Sequence, residues 1–143
     1  MKRNASAVWV GDLKQGKGKL TTTSGVLKET PYSFTTRFGD VVGTNPEELI
    51  AVAHAGCFTM ATAASLGKAG FTPAKLATEA TLTLEQVQGN WTITTIDLVL
   101  NASVPGITPE KFSEIAADAK ANCPVSRVLN AKISLEAKLE SAG

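Results

Sequence analysis

Two cysteines, one histidine and one tyrosine are all of those residue types that this chain of 143 contains. Charge is sparse as well: charged residues make up 19%, the formal net charge is +1, and no window holds a dense basic cluster. A large phosphate-binding face is therefore not expected, nor is nucleic acid as a partner. The opening MKRNAS is basic, but only AVWV follows before Gly11 and Asp12, an apolar stretch far too short for a signal peptide. Two cysteines without an export signal point to a cytoplasmic protein, where a permanent structural disulfide is uncommon and a reversible one needs a reason. Repeats, linkers and low-complexity tracts are missing too. What remains is 43% hydrophobic, the composition of a soluble globular chain. Its length suits one domain over residues 1–143 with a sizeable core.

The first third reads as strand and turn. SAVWVGD (6–12) is a short β-prone run, QGKGKLTTTSGVL (15–27) places a Thr-rich strand between glycines, and PYSFTTRF (31–38) alternates. In that third strand Tyr32, Phe34, Thr36 and Phe38 share a face, so Arg37 is expected to point the other way. A helix follows, with Thr44 or Asn45 as candidate N-cap, Pro46 as first helical residue and two glutamates in the first turn. It should run to about Gly67, and Gly70 marks its end. From Leu49 to Leu66 the helix carries no charge over 18 residues and is apolar on nearly every face. A membrane span is one alternative, but His54, Thr59, Thr62 and Ser65 interrupt the run and alanine supplies much of its bulk. The expectation is a helix buried in protein and touched on all sides.

Two long β runs, at 74–87 and 91–104, are joined by QGN and predict an antiparallel hairpin. TPEKFSEIAADAKAN (108–122) puts Phe112, Ile115, Ala116 and Ala119 at helical spacing, with Thr108 as cap and Pro109 at N1. CPVSRVL opens a second short helix, and residues 131–140 alternate as a closing strand. The order β-β-β-α-β-β-α-α-β predicts an α+β fold, mostly antiparallel sheet around one buried helix.

Few residues could carry chemistry. Cys57 lies in the most apolar helix, where burial alone raises its pKa and leaves it inert, so it needs a cation nearby to become a nucleophile. Filling a small space in a core would explain it equally well. Cys123 sits at an N-cap with Pro124 at N1, facing the positive end of a helix, which favours the thiolate. Cysteine is not a preferred cap, so this position leans towards function. Arg37 is the only charged residue between Glu29 and Asp40; solvent exposure would account for it. Glu47 could simply favour the helix dipole, as Glu48 could. His54, one turn before Cys57, admits three readings: a Cys–His dyad, a metal ligand with only Cys57 and Cys123 to help where zinc wants four, or a core imidazole bonded to a backbone carbonyl.

Taken together, GTNPEELIAVAHAGCF (43–58), then NCPVS (122–126) with its cysteine 66 positions after the first, and TRF before the helix closely resemble the OsmC/Ohr family of thiol-dependent peroxidases. The resemblance spans essentially the whole chain, and the two words at this separation make it specific. AHAGCF and CPVS look more like the OsmC branch (osmotically inducible protein C) than the Ohr branch, which tends to carry a tyrosine in place of His54 and CPYS. GCF where ACF is common is the one small departure beside the cysteine. The resemblance implies an organic hydroperoxide reductase with an OsmC-like fold, an intertwined homodimer with active sites at the subunit interface. It implies Cys57 as the peroxidatic cysteine, Cys123 as the resolving one, Arg37 as the residue that activates the thiolate and Glu47 as the carboxylate that orients Arg37. No metal or organic cofactor is implied. The partners would be an alkyl or fatty-acid hydroperoxide and an external dithiol, a lipoylated protein being one candidate.

One geometric constraint is independent of the resemblance. Ten residues separate Glu47 from Cys57, about 15 Å of rise and roughly 80° of rotation on an unbroken helix, so the two cannot touch within one helix. Either the helix breaks, or Arg37 bridges the gap, or Glu47 serves the other subunit's Cys57. Sharing of the site by two subunits would also explain a helix apolar all round. The competing functional reading is a small-hydrophobic-ligand binding protein whose buried cysteines are incidental. A zinc or redox-sensing protein built on His54 and the two thiols is the third.

Overall fold

The computed structural model describes residues 1–141. Its elements are β1 (Ala5–Val10), β2 (Lys17–Thr22), β3 (Thr30–Tyr32), α1 (Phe34–Phe38), α2 (Pro46–Lys68), β4 (Lys75–Val87), β5 (Asn90–Ser103), α3 (Pro109–Asn122), α4 (Pro124–Val128) and β6 (Lys132–Ser141). The chain divides into two compact units, Met1–Leu49 and Ile50–Gly143, and α2 begins at the end of the first. The fold is α+β as expected, with three of the four strand pairings antiparallel.

In the first unit β1, β2 and β3 form a meander. The expected third strand stops at Tyr32, and PYSFTTRF turns instead into the helix α1, a correction to the alternating reading. Ser33 caps that helix: its side chain accepts from the Thr36 amide, and the Thr36 hydroxyl accepts from the Ser33 amide at 2.9 Å. This is a capping box with threonine where glutamate is usual. Phe34 and Phe38 then meet as an i, i+4 pair, ring centroids 5.0 Å apart. Arg37 does not point away from the aromatics, because its guanidinium lies 5.0 Å over the Phe38 ring.

Thr36 also ties down the approach to α2. Its hydroxyl reaches the carbonyl of Thr44 at 2.9 Å, and Tyr32 and Thr44 form a lone parallel bridge. Gly43 is required for this closeness, since a Cβ there would stand 2.7 Å from the Thr36 methyl. Of the two candidate caps for α2 it is Asn45 that serves, accepting from the Glu48 amide at 2.8 Å.

In the second unit a two-residue turn sets the sheet. Gln88 and Gly89 both have positive φ, 51° and 81°, as a type I′ hairpin turn demands. The long β4–β5 hairpin follows in the expected register direction. β6 adds parallel to β5 after the α3–α4 crossover, giving the order β4-β5-β6. α3 is capped by Thr108 with Pro109 following, and it buries Phe112, Ile115, Ala116 and Ala119, the four residues its spacing singles out. These pack with Ile96, Leu98 and Leu100 of β5 and with Phe58 and Leu66 of α2 in one core.

One row of α2 is fully buried, His54, Phe58, Thr62 and Leu66 at i, i+4 spacing, with Cys57 and Ala61 packed beside it against that core. Its polar interruptions are satisfied locally, Thr59 and Thr62 donating to the carbonyls of Ala55 and Phe58. The opposite row, with Val52, Gly56 and Met60, is open; Val52 is 69% and Met60 76% exposed. The expectation of a helix touched on all sides is thus not met within residues 50–141. A sheet covers only one side of a helix, and in this unit the other apolar side is left open. Among the described residues α2 is the one helix long and apolar enough to cross a membrane.

Phe58 is wholly buried, and Phe58→Ala should lower the unfolding free energy by about 3–5 kcal/mol. Urea denaturation checks this; a loss below about 1 kcal/mol would mean that the core around α2 collapses to fill the cavity.

Candidate active site

The four residues singled out by the resemblance fall into two pairs. In the second unit Cys57, from the middle of α2, meets Cys123, from the junction of α3 and α4. Their sulfurs are 2.9 Å apart, within hydrogen-bond reach of each other, and both cysteines are free. A disulfide needs about 2.05 Å, so a shift of under about one ångström would join them. Cys123 is fully buried and Cys57 half-buried.

The two thiols differ in acidity. Burial pushes Cys57 up, and so do the hydrogen bond to Cys123 and the repulsion of a charge there; only the Val125 amide opposes this. Burial also acts to raise Cys123, but it is outweighed by the thiol of Cys57, the amides of Ser126 and Val125 and the hydroxyl of Ser126, and the net direction is down. The reason lies in the local sequence. Asn-Cys-Pro ends α3 and starts α4 on the same residue, so Cys123 is both C-cap of one helix and N-cap of the next. The neutral thiol makes no capping bond, whereas the thiolate gains the free amides of the first turn. Within residues 50–141 no charged side chain supports Cys57, so the sequence argument that it needs a cation stands.

In the first unit Arg37 and Glu47 form a bidentate pair. Nε donates to Oε1 at 3.0 Å and to Oε2 at 3.2 Å, and Nη2 to Oε1 at 2.7 Å. Glu47 is the more buried partner, its side chain 14% exposed against 37% for Arg37. The fork fixes the guanidinium plane, and one amino group, Nη1, is not used by the carboxylate. Beside it a cavity of about 270 Å³ is lined by Trp9, Leu13, Tyr32, Phe34 and Phe38. α2 carries Glu47 in its first turn and runs unbroken to Lys68, which removes a helix break as a way of bringing Glu47 to Cys57.

His54 was expected to bond a backbone carbonyl or to act with a thiol. Neither occurs: its Nε2 lies 2.7 Å from the Ser126 hydroxyl, and its buried Nδ1 has no partner. Burial holds its pKa below the usual histidine value. Ser126 is the functional candidate that the sequence reading left without a role. Its signal was present, a hydroxyl one turn beyond Cys123 in CPVS, as His54 is one turn before Cys57. Among the described residues no group of three or more His, Cys, Asp or Glu could hold a metal ion.

Two free thiols 2.9 Å apart in an α+β chain of this topology have the geometry for redox chemistry. Residues 38–138 match the family model of the OsmC-like proteins. Over 139 residues the chain is 50% identical to the peroxiredoxin OsmC of Escherichia coli (strain K12), covering 97% of both chains, and equally to that of Shigella flexneri. Among solved structures it resembles the organic hydroperoxide resistance protein OhrB of Bacillus subtilis, with a TM-score of 0.73 at 25% identity over 94% of this chain and 98% of that one. An OsmC-like protein of Vibrio cholerae shares the fold with a TM-score of 0.78 at 15% identity, covering 95% and 98% of the two chains. The chain belongs to the OsmC-like family.

Proposed function

We propose that this protein reduces organic hydroperoxides to alcohols, with Cys57 as the attacking thiolate and Cys123 as the resolving thiol. Its class, a peroxide-related oxidoreductase, follows from the family and from relatives half identical over nearly the whole chain. The observation that carries the finer reading is the face-to-face placement of two free sulfurs at 2.9 Å. The Cys57 thiolate attacks a peroxide oxygen, the O–O bond breaks, the alcohol leaves and a sulfenic acid remains. Condensation with Cys123 expels water and forms the disulfide, which guards Cys57 against irreversible oxidation. An external dithiol then reduces the disulfide by exchange; a lipoylated protein of the cytoplasm has the right chemistry.

Arg37 supplies the missing cation in this scheme. Its guanidinium is already oriented by Glu47 and borders an aromatic cavity suited to the hydrocarbon part of a hydroperoxide. It would counter the desolvation of Cys57 and hold the peroxide oxygens as charge develops. The open apolar row of α2 is the support for a second copy of the chain, with Arg37 and Glu47 of one subunit serving Cys57 of the other.

Gly56 gives this dimer a clean test. A Cβ at Gly56 meets nothing within 4 Å in the chain, and replacing a helical glycine favours the helix by up to about 1 kcal/mol. Gly56→Leu should therefore fold as well as wild type but run as a monomer in light scattering coupled to gel filtration. An unchanged dimer would put the subunit contact elsewhere. The function itself is tested by consumption of cumene hydroperoxide with excess dithiol. Turnover supports it, whereas ligand binding that survives replacement of both cysteines, without turnover, would favour a hydrophobic-ligand carrier.

A further inference from the structure

Two residues that the peroxidase scheme does not use lie in line with its two thiols. His54 is completely buried and its Nε2 is 2.7 Å from the hydroxyl of Ser126. Ser126 stands one turn along α4 from Cys123, and Cys123 touches Cys57. His54 therefore bonds a residue that in turn acts on Cys123, the sulfur next to the peroxidatic one.

A hydroxyl has one proton to give. Ser126 is among the groups that lower Cys123, and a Ser126 proton turned towards that sulfur leaves its oxygen to accept from His54. The neutral imidazole therefore carries its proton on Nε2, and Nδ1 is a bare lone pair. This agrees with Nδ1 being the buried atom without a partner, because an unmet acceptor is tolerated more often than an orphaned N–H. The opposite tautomer would bury an unpaired N–H and turn the Ser126 proton away from Cys123. Burial, which keeps His54 neutral, protects the arrangement.

We propose that His54 and Ser126 are positioning residues for the resolving step: the imidazole locks the Ser126 hydroxyl as a donor to Cys123, so that Cys123 meets the Cys57 sulfenic acid as a thiolate. The thiolate attacks the Cys57 sulfur, an S–S bond forms, the S–O bond breaks, and the departing hydroxide takes up the proton that Cys123 released, leaving as water. Cooperative polarisation along such a chain strengthens each of its bonds. The titratable side chain that acts directly on Cys123 is Cys57 of α2, and no charged side chain is among the groups that shift it; His54 reaches it only through Ser126. This inference rests on the proposed peroxidase cycle for its purpose but not for its test.

The test is a thiolate titration. In Cys57→Ser protein the only thiol is Cys123, and its ultraviolet thiolate absorbance against pH reads its ionisation without peroxide. Ser126→Ala and His54→Leu should each move the midpoint up by about one pH unit, a tenfold loss of thiolate at fixed pH. Ser126→Thr, which keeps the hydroxyl, and His54→Gln, which keeps an N–H donor, should restore most of it. With both cysteines present, disulfide closure relative to sulfenic acid formation should fall about tenfold in Ser126→Ala, and sulfinic acid should accumulate at Cys57 in excess hydroperoxide. Equal midpoints in Ser126→Ala, Ser126→Thr and the parent would overturn the proposal, as would a rise that His54→Gln fails to reverse while Ser126→Ala leaves the midpoint unmoved. Should wild type show no hydroperoxide turnover, the peroxidase reading falls, and the titration still decides whether His54 and Ser126 govern Cys123.

Discussion

Cys57→Ser should lower hydroperoxide turnover by at least about 10³-fold, while Cys123→Ser should complete one turnover and stall. The asymmetry follows from the role proposed for each sulfur. A serine hydroxyl in place of Cys57 has no base beside it and does not ionise near neutral pH, so the attack on the O–O bond is lost outright. Without Cys123 the attack still occurs, but the sulfenic acid has no sulfur within reach and waits for a small thiol or a second peroxide. Stopped-flow mixing of reduced protein with cumene hydroperoxide separates the two. A burst of one alcohol per site should appear in Cys123→Ser and none in Cys57→Ser. The acidities of the thiols point the other way at first sight, since Cys123 is the lowered one and Cys57 the raised one. A Cys57→Ser protein that retained its burst would exchange the roles of the two cysteines.

Arg37→Met should have the second-largest effect, a fall of about 10²–10³ in the peroxidatic rate at neutral pH, the size expected for losing a preorganised charge at a reacting centre. The pH dependence carries the diagnosis. Burial raises the Cys57 pKa, and the thiolate is the reactive form. A variant without the cation should therefore be slow at neutral pH and recover as pH rises towards that raised value, whereas wild type should reach its plateau at lower pH. Arg37→Lys should recover only part of the loss, because an ammonium cannot make the two-point contact with Glu47. Single-turnover rates from pH 5 to 10 would show it. A profile in Arg37→Met parallel to wild type would confine Arg37 to binding, and an unchanged rate would remove it from the site.

Much of the fold was legible where one local rule acted alone. Thr108-Pro109 with four apolar residues at helical spacing leaves little choice for α3, and Gln88-Gly89 between two alternating runs leaves little for the hairpin. PYSFTTRF was misleading because Phe34 and Phe38 are four apart, a spacing that suits both a strand face and a helix face; the deciding feature, a capping box ending in threonine, is weaker than its usual form. The parallel docking of β6 on β5 depends on how α3 and α4 cross the sheet, which no local pattern in β6 records. For α2 the sequence reported its apolar character correctly and its surroundings incompletely, since composition counts every face and the sheet of the second unit covers one side.

The site was legible to a different degree. Nothing in the spacing of Cys57 and Cys123 predicts that their sulfurs meet; the resemblance supplied that pairing, and it supplied the partnership of Arg37 with Glu47. His54 and Ser126 are 72 residues apart, and their contact arises only when the folded chain brings α4 beside α2. A lone histidine in an apolar helix announces that something must satisfy it, without saying what.

The most direct measurement is the mass of the fully reduced protein after one equivalent of cumene hydroperoxide, followed by peptide mapping. The account predicts one equivalent of cumyl alcohol, loss of two hydrogens from the chain, and a dithiol-reversible cross-link between the peptides holding Cys57 and Cys123. Alcohol formation with both thiols still reduced, or consumption of peroxide only by methionine oxidation, would contradict it.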